Sequence, residues 1–371
     1  MSEKIFSKSL RFKRCLVDYE KQTYIKPDDF GEYEVTLDCS LGVNPFGTPE
    51  LVTQAAGLDV KDIVIVQAQG GGARSAESDL TGPPETLCQA SIKQGGLERL
   101  GDIVSYPNFP YDSTLRAIAD FWAEYACLRP SQVRLYGGSI AVLEAVCRAF
   151  VGEGVNVLGY LPQFTDFSAG VLSLGGVYEA VDFRKNREND DCRFDAEKLS
   201  GAITEDHALV YIDNPNNPTG QVIGLDGIEI ILARAAELGA AVLVDEAYGD
   251  FITKGESVVS LMPKYKNLII ARSFSKGYGM AGLRIGYVIC DEEVMKYCDK
   301  VSSPFAVTRQ AAVLAEIALK EDAFLDRCRH DISVIKSRLL EGVKKLTHLA
   351  TDMRVPIVAL LNPRGNNIVF T

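Results

Sequence analysis

From Gln132 to Cys290, short apolar runs alternate with stretches of helical periodicity, and this limits the fold more than any other feature of the 371-residue chain. An apolar run, an amphipathic helix and a second apolar run read as a βαβ unit, whose strands lie parallel because the helix carries the chain back. Seven strands are expected, centred near Arg134, Leu158, Tyr178, Tyr211, Leu243, Ile269 and Tyr287. Helices are expected over Ile140–Phe150, Phe167–Leu174 and Asp226–Leu238, with others between. The last strand follows its loop without a long helical crossover and is expected to run antiparallel. In open parallel sheets, ligands bind in the crevice beyond the carboxyl ends of the strands.

What the chain places at those ends is chemically pointed. The run Ala208–Ile212 leads into the stiff turn NPNNPTG, which carries Asn217, and the run AVLVDEAYGDF delivers Asp245 and Tyr248. A third ends in ARSFSKGYGMAGLRIGY, with Lys276 among small residues, Ser273 and Ser275 before it and Arg284 after it. A lysine amine is a poor nucleophile while protonated; desolvation by Phe274, Met280 and Leu283 and the charge of Arg284 would both lower its proton affinity. Taken alone, S-x-S-K is as well read as a loop lysine beside a surface arginine. Upstream, VRLYGGSIAVLEAV reads as strand, turn and helix, so the backbone N–H groups of Gly138, Ser139 and Ile140 would form an anion cradle. A Gly-Gly turn before a helix is equally an ordinary turn.

Together these segments resemble the fold-type-I pyridoxal-phosphate enzymes of the class I and II aminotransferase group, most of all the histidinol-phosphate aminotransferase-like branch. The order is shared, with 28 residues from Asn217 to Asp245 and 31 from Asp245 to Lys276, and the resemblance extends over roughly Val35 to Thr371. It implies an α/β fold: a three-layer αβα large domain with a mostly parallel seven-stranded sheet, plus a smaller α+β domain built from both chain ends. It also implies pyridoxal 5'-phosphate as cofactor, bound as an internal aldimine on Lys276, which then shuttles the substrate proton. Asp245 would pair with the pyridine nitrogen, while Tyr248 and Asn217 would hydrogen-bond the phenolic oxygen. The phosphate would be held by Ser273, Ser275, Arg284 and the Gly138–Ser139–Ile140 turn. Phe164 would stack on the ring, or else serve ordinary core packing. Tyr106 would reach the phosphate of a neighbouring subunit in a homodimer with shared sites, or else sit in a proline-bounded turn. Asn44, in LDCSLGVNPFG, would line the substrate entrance.

Composition excludes other classes. A net charge of −11 argues against nucleic acid or an anionic membrane as partner. Nine scattered cysteines without a CxxC pair argue for reduced thiols and a cytoplasmic home. Three histidines, none in a motif, leave no basis for a metal enzyme or a serine hydrolase. Neither a signal peptide nor a run of about 18 apolar residues is expected. The expected division is an N-terminal arm and part of the small domain over 1–49, a large domain over 50–307 and a connecting helix with a partial small domain over 308–371. The helix is expected over Thr308–Leu346, and RVPIVALL, Arg354–Leu361, is expected to be a strand.

Two departures from the family stand out. The stretch near 57–95 is longer than in relatives, either an insertion at the site mouth or an artefact of sequence assembly. The chain stops before the strand expected to bear the family's carboxylate-binding arginine, and Arg354 and Arg364, the arginines of the tail, do not sit in that motif, so either it is truncated or the carboxylate is recognised otherwise. The expected reaction passes an amino group between an amino acid, or an amino-alcohol phosphate, and a 2-oxo acid by a ping-pong route. The alternatives are a decarboxylase similar to threonine-phosphate decarboxylase and a catalytically impaired cofactor-binding module.

Overall fold

The computed structural model describes residues 49–55, 106–107, 109–185, 192–344, 348–361 and 368–370. The N-terminal arm with Asn44, the stretch near 57–95 and Arg364 lie outside these residues. Helices α1 (Glu50–Ala55) and α2 (Asp112–Phe121) precede the sheet. Then β1 (Val133–Tyr136), α3 (Ser139–Phe150), β2 (Asn156–Leu161), α4 (Thr165–Ser173) and β3 (Val177–Asp182) follow in turn. Next come α5 (Ala196–Gly201), β4 (His207–Asp213), α6 (Leu225–Glu237), β5 (Ala241–Glu246), β6 (Leu268–Ser273) and β7 (Gly286–Cys290). Helices α7 (Glu292–Val301), α8 (Arg309–Ala318) and α9 (Asp322–Gly342) lead to a hairpin of β8 (Ala359–Leu361) and β9 (Ile368–Phe370).

The seven strands form one sheet in the order β1-β7-β6-β5-β4-β2-β3. All neighbours pair in parallel except β7, which runs antiparallel to both β1 and β6, as the short β6–β7 connection requires. Strands β5, β6 and β7 are buried along their whole length, the pattern of a sheet covered on both faces. On one face Val142, Leu143 and Val146 of α3, Phe167 of α4 and Met295 of α7 pack on Leu209, Tyr211, Leu243 and Ile269. The other face buries Val210, Ile212, Val242, Val244 and Ile270 beneath α2, α6 and α8, through Ile118, Ile228, Ile231 and Leu314. The fold is the expected α/β sandwich, and each helix named from periodicity lies within two residues of its expected start.

Two expectations need correction. The stretch 308–346 is not one helix: α8 ends at Ala318 and α9 begins at Asp322. Continued past Ala318, the buried stripe of α8 would bring Glu321 and Asp322 onto the core face, three and four residues on. The break is tightened by bonds from Lys320 N–H to Ile317 and from Glu321 N–H to Ala318, and Phe324 and Leu325 are buried after it. The expected strand over Arg354–Leu361 shrinks to Ala359–Leu361. Pro356 has no N–H to give a ladder. The carbonyls of Val355 and Ile357 accept from the buried Lys336 ammonium of α9, at 2.7 and 2.8 Å, as do Thr351 Oγ1 and the Asp352 carbonyl at 2.6 Å each.

Candidate active site

The carboxyl ends of β4, β5 and β6 bring the expected residues to one place. Lys276 lies just beyond β6, with Nζ 5.4 Å from the centroid of the Tyr248 ring that follows β5. Burial lowers its proton affinity first, and the nearby Arg284 charge lowers it further, while Asp245 acts the other way. Burial and the Arg284 charge are the two causes named from the sequence. Ser273 and Ser275 are buried beside it, with Ser275 N–H donating to Ser273 Oγ at 3.1 Å.

Arg284, left-handed at φ 50°, turns its guanidinium toward the start of α3 and donates from Nη2 to the Gly137 carbonyl at 3.2 Å. Gly138, at φ 92°, is the N-cap of α3, and no side chain caps that helix. A Cβ on Gly138 would lie 2.7 Å from Arg284 Nη2, so the glycine makes room for the guanidinium and leaves the first N–H groups of α3 facing it. Together, the uncapped helix N-terminus and the guanidinium have the charge and donors to cradle a doubly charged anion.

Asp245 is 4 % exposed, and burial, then the charge of Asp213, pushes its carboxyl up to about 7. The Ala247 N–H donates to Oδ1 at 3.0 Å, and Tyr211, whose ring stacks on Phe167 at 3.8 Å, offers its hydroxyl at 3.4 Å from Oδ2. Asp213, absent from the expected set, stands in register with Asp245 on β4. Its Oδ2 accepts from the backbone N–H of both Phe164 (3.1 Å) and Asn217 (3.0 Å), so these two expected residues meet through a carboxylate that sequence reasoning passed over. The available signal was a charged residue closing the apolar run Ala208–Ile212.

Beneath the lysine loop lies a second buried charged cluster, also unforeseen. Arg272 of β6 donates to Glu246 at 2.8 Å and to Asp250 at 2.6 Å, and its Cζ lies 5.0 Å from the Trp122 ring centroid. Any Cβ on Gly277, the residue after Lys276, would come within 2.6 Å of Asp250 Oδ2. Only a glycine fits there.

Tyr106 is not brought to this cluster within the chain. It is 77 % exposed and packs on Phe305 at 4.9 Å, which in turn meets Phe109 at 5.4 Å, while Arg309 donates to its carbonyl at 2.8 Å. Arg354 is engaged elsewhere, donating to both Glu256 oxygens at 2.7 and 2.9 Å and to Asp352 at 2.8 Å. Among the described residues, no three His, Cys, Asp or Glu side chains gather to hold a metal ion, and no helix is long and apolar enough to cross a membrane.

The family model for aminotransferases of class I and II matches residues 75–360 of this chain. The chain belongs to the class I and II aminotransferase family. Family relatives include the histidinol-phosphate aminotransferase of Brevibacillus brevis, 32 % identical over 252 residues that make up 67 % of this chain and 64 % of that protein. A second is histidinol-phosphate aminotransferase 2 of Hydrogenovibrio crunogenus, 32 % identical over 207 residues, 55 % of this chain and 54 % of that one. The matched stretch thus spans less than two thirds of the length of either relative. The solved histidinol-phosphate aminotransferase of Clostridium acetobutylicum shares the fold, with a TM-score of 0.67 at 19 % identity over 86 % of this chain and 81 % of that one. So does the Sinorhizobium meliloti enzyme, solved in complex with pyridoxal-5'-phosphate, with a TM-score of 0.64 at 22 % identity over 86 % of this chain and 74 % of that one.

Proposed function

We propose that this chain is a pyridoxal-phosphate-dependent aminotransferase, passing an amino group between an amino acid or an amino-alcohol phosphate and a 2-oxo acid in two half-reactions. The observation that carries the reading is Lys276: a largely buried amine of reduced proton affinity, between the Arg284 charge and Asp245 at the carboxyl edge of a parallel sheet. The residues fit the cofactor in charge. The uncapped start of α3 with Arg284 suits its phosphate, and the buried Asp245 suits its pyridinium.

When bound, pyridoxal phosphate supplies an electron sink for the substrate's α-carbon. Lys276 Nζ would hold the cofactor and, once freed by the substrate amine, would carry the proton leaving the α-carbon. Asp245 would keep a proton on the pyridine nitrogen, while Asn217 and Tyr248 would donate to the phenolic oxygen. Phe164 would cover one face of the ring against water. Ser273, Ser275, Arg284 and the Gly138, Ser139 and Ile140 N–H groups would hold the phosphate. The names of the relatives support an amino-alcohol phosphate among the substrates. Because Arg354 is bound to Glu256 and Asp352, the substrate carboxylate falls to another group. The exposed Tyr106–Phe305–Phe109 patch supports a homodimer in which Tyr106 serves the partner's site. Nine scattered cysteines without a CxxC pair support a cytoplasmic location.

The test is spectroscopic. Purified protein supplied with pyridoxal phosphate should gain a visible absorption band, and borohydride should fix the cofactor to the peptide carrying Lys276. Lys276→Ala should lose both, together with at least about a thousandfold of turnover. One amino donor from a panel should bleach the band, and a 2-oxo acid should restore it. Release of carbon dioxide without keto-acid formation would sink the aminotransferase reading and leave the decarboxylase.

A further inference from the structure

Asp213 is 3 % exposed, and its carboxylate has four hydrogen-bond donors, all neutral. Tyr160 OH (2.7 Å) and Asn216 Nδ2 (3.0 Å) donate to Oδ1, and the N–H groups of Phe164 (3.1 Å) and Asn217 (3.0 Å) donate to Oδ2. The surrounding groups are committed as well: Tyr160 OH also faces the Asp213 carbonyl at 3.0 Å, and Asn216 Oδ1 accepts from Thr219 N–H at 3.0 Å. Asn216 Nδ2 donates to the Pro162 carbonyl at 3.1 Å too, so the cluster ties the turn after β2 to the turn after β4. A buried anion is costly, and burial pushes this carboxyl up to about 6 despite its four donors. Core packing alone gives no reason to place it there. What Oδ2 does is specific: it gathers the backbone of two residues from different turns, one aromatic and one an amide.

We propose that Asp213 is a positioning residue, whose carboxylate pins the Phe164 and Asn217 turns to each other and so fixes the two side chains that would meet the cofactor. This rests on the site reading given above. Phe164 is also the N-cap of α4, so the same bond sets where that helix starts. Asn217 is only partly buried, unlike its neighbours Asn216 and Pro218, which leaves its side chain open to a ligand while its backbone is held.

The experiment compares three variants with the wild type. Asp213→Ser shortens the side chain and takes the acceptor from both N–H groups. Asp213→Asn keeps the shape and one carbonyl oxygen. Tyr160→Phe removes a donor from the same cluster but leaves both backbone bonds. In the apoprotein, deuterium exchange in peptides spanning Phe164 and Asn217 should quicken by about tenfold or more in Asp213→Ser, less in Asp213→Asn and not at all in Tyr160→Phe. With pyridoxal phosphate, Asp213→Ser should bind about tenfold more weakly, and the pH midpoint of the bound cofactor's visible band should rise, because Asn217 no longer supports the phenolic oxygen. Tyr160→Phe should lose stability while keeping that midpoint.

Unchanged exchange in Asp213→Ser overturns the inference, as does equal quickening in Tyr160→Phe. Failure of both Asp213 variants to fold also overturns it, in favour of a purely structural carboxylate. An unmoved midpoint in a folded Asp213→Ser that does bind the cofactor overturns the positioning role. If the wild type takes up no pyridoxal phosphate, the site reading is what fails, and the exchange data alone decide the clamp.

Discussion

The proton affinity of Lys276 is lowered because it is largely buried and because Arg284 stands nearby, and the second cause can be removed without touching the first. In Arg284→Gln the lysine should regain proton affinity, and the α3 cradle should lose the only charge it has been assigned. Pyridoxal phosphate should then bind about ten- to a hundredfold more weakly, read by equilibrium dialysis, since charge-assisted hydrogen bonds to phosphate are about twice as strong as neutral ones. Equal affinity in wild type and variant would remove Arg284 from the phosphate site. Lys276 and Arg284 were legible from their places in the segment ARSFSKGYGMAGLRIGY, with serines before the lysine and small residues around it, and Asp245 as a charge closing an apolar run. Asp213 carries the same mark, but its meaning depends on Tyr160 and Phe164, 53 and 49 residues away in the chain. No periodicity carries that information. Arg272 and Asp250 were hidden for the same reason, because a buried ion pair declares itself only when both partners have been placed.

At the level of elements, strands were the easiest to read, since a parallel sheet covered on both faces demands unbroken apolar runs such as Leu209–Ile212 and Leu268–Ala271. What failed was length: α8 and α9 part where continued periodicity would bury two acids, and β8 starts late because Lys336 has claimed the carbonyls before it. The loops between elements respond to contacts of the same long range. Gly277 joins Lys276 to the rest of its loop and rests on the Asp250 side chain, which Arg272 holds in place. Gly277→Ala should therefore displace the lysine loop rather than the aspartate. We expect a loss of about 1–3 kcal/mol in urea unfolding, as for other overpacked sites, together with weaker cofactor retention. Gly282→Ala, where a Cβ meets nothing within 4 Å, is the matched control and should change neither. Loss of retention in both variants would point to general loop sensitivity instead.

Over the whole molecule, the site lies on a core that buries acids which the unfolded chain would expose. Burial pushes Asp213 and Asp250 up to about 6 and Asp245 up to about 7. Each therefore binds its proton more tightly in the fold than in the unfolded chain, where carboxyls titrate near 4. Below about pH 4 both states are protonated and the fold keeps the full benefit; as pH rises toward 6 and then 7, that benefit is lost. Glu256 runs the other way, held down to about 2 first by Arg354, so its contribution is present above about pH 4 and disappears only below it. These three acids should thus make the apoprotein weaken from pH 4 to 5 toward neutrality, each costing up to about 1.4 kcal/mol per pH unit within its window. Lys336, which burial pushes down to about 7, opposes the decline only from near pH 7 upward. Asp245→Asn separates the contributions of the three acids, because Asp245 is the last of them to lose its proton. Urea unfolding of apoprotein across pH 4.5 to 7.5 should show a decline that continues to about 7 in the wild type and flattens near 6 in the variant. Saturating pyridoxal phosphate should also flatten the upper part of the wild-type curve, since a pyridinium opposite Asp245 favours its ionised form. Stability that rises steadily from pH 4.5 to 7 in the apoprotein would show that these acids, Asp245 included, stay ionised in the fold.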